Sequence, residues 1–81
     1  MDKKIETLLK QLATVNYPYL DNIITRFNNW QTMDGRYFIN GRNIKFKVLE
    51  DILNEVETYF IVNEISYPNI KRQMTMIKNA Y

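Results

Sequence analysis

The side chains best suited to chemistry in this sequence are cations. Residues 35–48, GRYFINGRNIKFKV, hold Arg36, Arg42, Lys45 and Lys47 without an acid, and a later run holds Lys71, Arg72 and Lys78, again without one. Ammonium and guanidinium groups gathered on one face neutralise phosphates together, and affinity grows with the number engaged. Phe38 lies among the first group and can stack on an unpaired base, while Asn43 carries the kind of amide that reads adenine. Arg36, Phe38, Arg42, Asn43, Lys45, Lys47, Lys71, Arg72 and Lys78 are therefore candidate nucleic-acid contacts, with DNA ahead of RNA. Beside this stands a plainer reading, in which basic and acidic stretches offset each other on a solvated surface.

Other chemistries are thinly represented. With no His and no Cys, the chain lacks the commonest general base, the thiolate nucleophile and the usual zinc ligands. Its two glycines, Gly35 and Gly41, cannot build a phosphate-cradling Gly-rich loop of the dinucleotide or P-loop type. Glu50, Asp51, Glu55 and Glu57 are the candidates for carboxylate chemistry, but their spacing puts them on the polar side of an amphipathic helix, where solvation explains them. A non-enzymatic protein without cofactor or metal is the expectation.

At 81 residues, with 46% hydrophobic and 25% charged side chains and a formal net charge of +2, the sequence matches one small globular domain spanning residues 1–81. No apolar run approaches the roughly 18 residues of a membrane span. The opening Met1-Asp2-Lys3-Lys4-Ile5 does not read as a secretory leader. A cytoplasmic protein with no membrane partner is expected, and the lack of cysteine agrees with that compartment.

The elements that must position these residues follow from periodicity. Ile5, Leu8, Leu9, Leu12 and Val15 recur at helical spacing behind Asp2, a potential N-cap. Asn16-Tyr17-Pro18 ends that helix, and a second runs from Pro18 to about Trp30 with Leu20, Ile23, Ile24, Phe27 and Trp30 on its stripe. Asn40-Gly41 between alternating apolar residues is a strong hairpin signal. It predicts a β-hairpin over about 36–47 that sets Phe38 opposite Asn43, Tyr37 opposite Ile44 and Arg36 opposite Lys45. Two cations directly opposed weaken such a hairpin, so Arg36→Ala with Lys45→Ala is expected to weaken phosphate binding while leaving stability unchanged or raised.

A third helix follows from Leu49, Ile52, Leu53, Val56, Tyr59 and Phe60. Its end, Tyr59-Phe60-Ile61-Val62, is apolar nearly all round and implies burial on more than one side. Ser66-Tyr67-Pro68-Asn69 then starts a fourth helix, on which Tyr67, Ile70, Met74, Ile77 and Tyr81 form a seam of alternating three- and four-residue steps. Packing within the monomer is the favoured use of that seam, and a homodimer contact is the alternative.

The expected class is α+β: two N-terminal helices, a central β-hairpin and two C-terminal helices. Two known DNA-binding architectures are similar in outline. In a winged-helix-like arrangement the hairpin is the wing. In a ribbon-helix-helix-like arrangement residues 43–48 are the strand, with Asn43, Lys45 and Lys47 facing bases, although the Asn-Gly turn then competes with pairing to a partner's strand. The functional expectation is a small regulatory nucleic-acid-binding protein. The alternative is a small adaptor or inhibitor that binds another protein through aromatic residues off the helical stripes or at element ends, among them Tyr17, Tyr19, Trp30, Phe38 and Tyr81.

Overall fold

The computed structural model describes residues 2–33, 38–39 and 42–81, and at 38–39 and 42–43 the backbone alone. Among the described residues the fold is helical: α1 (Lys3–Thr14), α2 (Leu20–Gln31), α3 (Ile44–Val62) and α4 (Pro68–Ala80). The Asp2 carboxylate caps α1, accepting from the Lys4 amide at 2.7 Å, which satisfies one of the donors every helix start leaves open.

The two interhelix loops on either side of the long central connection share one design. After α1, the Tyr17 amide donates to Leu12 O and the Asn16 amide to Ala13 O, with Asn16 at φ 57°. After α3, the Ile65 amide donates to Phe60 O and the Glu64 amide to Ile61 O, with Glu64 at φ 54°. Each is a Schellman motif closed by a left-handed residue, and a Tyr-Pro pair follows it before the next helix.

One core runs through all four helices. Ile5, Leu8 and Leu12 of α1 meet Ile23, Phe27 and Trp30 of α2, then Leu49, Ile52, Leu53, Val56 and Phe60 of α3, and Ile70, Met74 and Ile77 of α4. The buried Gln73 side chain donates to Lys4 O at 2.9 Å and ties α4 to the first turn of α1. Three residues of the predicted α4 seam, Ile70, Met74 and Ile77, are thus buried inside the monomer, while its end members Tyr67 and Tyr81 are exposed.

The α+β expectation is overturned. A hairpin over 36–47 requires Ile44, Lys45, Phe46 and Lys47 to be extended, and they form the first turn of α3. Among the described residues, antiparallel pairing joins Phe38 with Asn43 and Ile39 with Arg42, too short to make a sheet layer. The winged-helix-like and ribbon-helix-helix-like arrangements go with it, since the first needs a long wing and the second needs residues 43–48 as a strand. Ile44 and Val48 satisfy a helical i, i+4 step as well as a period of two. Val48 packs against the core ahead of buried Leu49, whereas Phe46 turns toward solvent. The α3 stripe therefore extends backward through residues that alternate by coincidence. The expected burial at the end of α3 also fails: Phe60 is buried, but Ile61 and Val62 are exposed.

Candidate functional site

The predicted phosphate contacts do not form one described surface. Arg36 and the Asn40-Gly41 turn lie outside the described residues, as do the side chains of Phe38, Arg42 and Asn43. Lys45 points back onto α2: its ammonium donates to Met33 O at 3.0 Å and Gln31 O at 3.5 Å, and sits 5.2 Å from the centre of the Trp30 ring. A cation at the carbonyl end of a helix complements the helix dipole, so local structure gives Lys45 a role in holding α2 against α3. Lys47 pairs with Asp51 at 2.9 Å and Glu50 at 4.0 Å. Lys78 reaches across from α4 to Asn54 Oδ1 at 3.2 Å and Glu57 at 3.8 Å. Lys71 and Arg72 are exposed on the first turns of α4 and make no ion pair among the described residues.

The candidate carboxylates are accounted for in the same way. Besides the partners of Lys47 and Lys78, Glu55 pairs with Arg26 of α2. Each acid has a basic neighbour on the surface, an arrangement worth little to stability and without the opposed environments that an acid–base pair requires. Among the described residues no cluster of acids could hold a metal ion, and no helix is long and apolar enough to cross a membrane.

A shallow, open cleft of about 190 Å³ is lined by Trp30, Lys45, Phe46 and Tyr81. Its polar atoms are already engaged. The Trp30 indole N–H donates to Lys45 O at 2.7 Å, and the Tyr81 hydroxyl donates to the Asp2 carboxylate. That bond holds Asp2 below the usual carboxylate range and raises Tyr81 to about 12.

Among the described residues, an aromatic cluster lies where the α1–α2 and α3–α4 loops come together. Tyr17 stands edge-on to Tyr59, their rings 4.7 Å apart, and Tyr59 in turn meets Tyr19 at 6.3 Å. Phe60 bridges the two loops, 6.3 Å from Tyr17 and 5.9 Å from Tyr67. Tyr17 is buried at the base of this cluster, and burial pushes its hydroxyl pKa up. Around it the apolar surface is open: Tyr19 is 61% exposed, Tyr67 43%, and the adjoining Ile61 and Val62 are 69% and 72%. Offset and edge-to-face ring packing stiffens such a platform beyond what burial alone provides.

Of the aromatic residues singled out from the sequence, Tyr19 and Tyr81 are exposed while Tyr17 and Trp30 are buried. Tyr59, Ile61, Val62 and Tyr67 were not grouped with them. The repeated Tyr-Pro step at 17–18 and 67–68, each following a helix end, was the available signal. Comparison with known protein families, curated proteins and solved structures found no match for this chain.

Proposed function

We propose that this chain is a small protein-binding module, an adaptor or inhibitor, that engages its partner through the aromatic end formed by the two loops. The observation that carries this reading is the exposure of Ile61 and Val62, at 69% and 72%, on the last turn of α3 directly after Tyr59 and Phe60, whose rings meet exposed Tyr19 and Tyr67. Isolated apolar residues on a surface need no explanation, whereas several at one end of so small a domain, grouped on and around packed rings, favour an interaction site. Tyrosine supplies large contact area at low conformational cost, and tyrosine-rich centres anchor protein interfaces. The nucleic-acid alternative has less support, because Lys45, Lys47 and Lys78 are drawn into contacts within the chain, so that of the candidate contacts with described side chains only Lys71 and Arg72 make no ion pair or side-chain bond among the described residues.

The test is a pull-down from the source cell with wild type and with Ile61→Ser plus Val62→Ser, each with and without nuclease. The proposal expects a retained protein that survives nuclease and high salt but is lost with the double substitution. Equal retention by both chains, or release by nuclease, would sink it, since phosphate contacts weaken steeply with salt and apolar anchors do not.

A further inference from the structure

We draw no further inference here: the strongest candidate, the exposed apolar surface patch of Ile61 and Val62 on the last turn of α3, belongs to the binding surface already proposed, and nothing in the structure shows what covers it.

Discussion

The indole N–H of Trp30 donates to the backbone carbonyl of Lys45 at 2.7 Å, and the ammonium of the same lysine lies 5.2 Å from the centre of the Trp30 ring. The two residues clasp each other in both directions, one through backbone and the other through side chain. Lys45 also donates to Gln31 O at the end of α2 and to Met33 O just past it, so one side chain closes the end of α2 while its backbone sits in the first turn of α3.

Substituting Lys45 should therefore lower stability, opposite to what a strained pair of cations in a hairpin implies. Lost interaction with the α2 carbonyls and with the indole face is worth about 1–2 kcal/mol together. Lys45→Met keeps much of the aliphatic packing and isolates the charge. Thermal unfolding should show a drop of about 4–8 °C per kcal/mol in a domain of this size. An unchanged or higher Tm would show that the clasp contributes nothing.

Glu64 holds φ at 54° without being glycine. A side chain in the left-handed region crowds the following carbonyl and costs about 1–2 kcal/mol, partly offset in glycine by its greater freedom when unfolded. Glu64→Gly should accordingly stabilise the fold by about 0.5–1 kcal/mol, whereas Asn16→Gly should gain less because asparagine tolerates this conformation. Denaturant titrations of the two variants check the order, and a larger gain at Asn16 contradicts it.

The helical stripes of α1, α2 and α4 were legible because Ile5, Leu8 and Leu12, Ile23 and Phe27, and Ile70, Met74 and Ile77 recur at steps of three and four residues, which a period of two cannot match. Residues 44–48 were not, since five residues satisfy a period of two and an i, i+4 step equally. What decides them is nonlocal: Trp30 bonding to Lys45 O and Leu49 entering the core. The aromatic end was hidden for a related reason. Tyr17, Tyr59 and Tyr67 belong to different segments and meet only once both helix hairpins close. Ile61 and Val62 read as core from hydropathy alone, and their exposure follows from their place on the side of α3 that carries exposed Asn54 and Glu55 seven residues earlier, away from buried Val56 and Phe60.

The Tyr81 hydroxyl donates to Asp2, the residue that caps α1, so stability should depend on pH at both extremes. Asp2 is lowered from 3.8, chiefly by that bond, so its contribution is present above 3.8 and lost as pH falls through the folded value. Tyr81 is raised from 10.0 to about 12, so its contribution is present below 10 and lost as pH climbs from 10 toward 12. Both groups are largely exposed, and the effect is correspondingly screened. Tm against pH should show wild type above Tyr81→Phe at neutral pH, with the curves converging in acid and again in strong alkali. No gap at any pH would mean that Tyr81 acts only through packing on Trp30, which phenylalanine keeps.

Lys71 and Arg72 occupy the first turns of α4, which starts at Pro68 without a side-chain cap or an acid in its first turn. Cations there oppose the positive end of the helix dipole at about 0.3–1 kcal/mol each. Lys71→Glu and Arg72→Glu should each raise Tm slightly in low salt, and the gain should fade as salt screens it. Two exposed cations that cost the fold stability suit contact with another molecule better than support of α4. If either reversal instead lowers Tm, that cation is supporting α4 through a contact of its own, and the case for its external role fails.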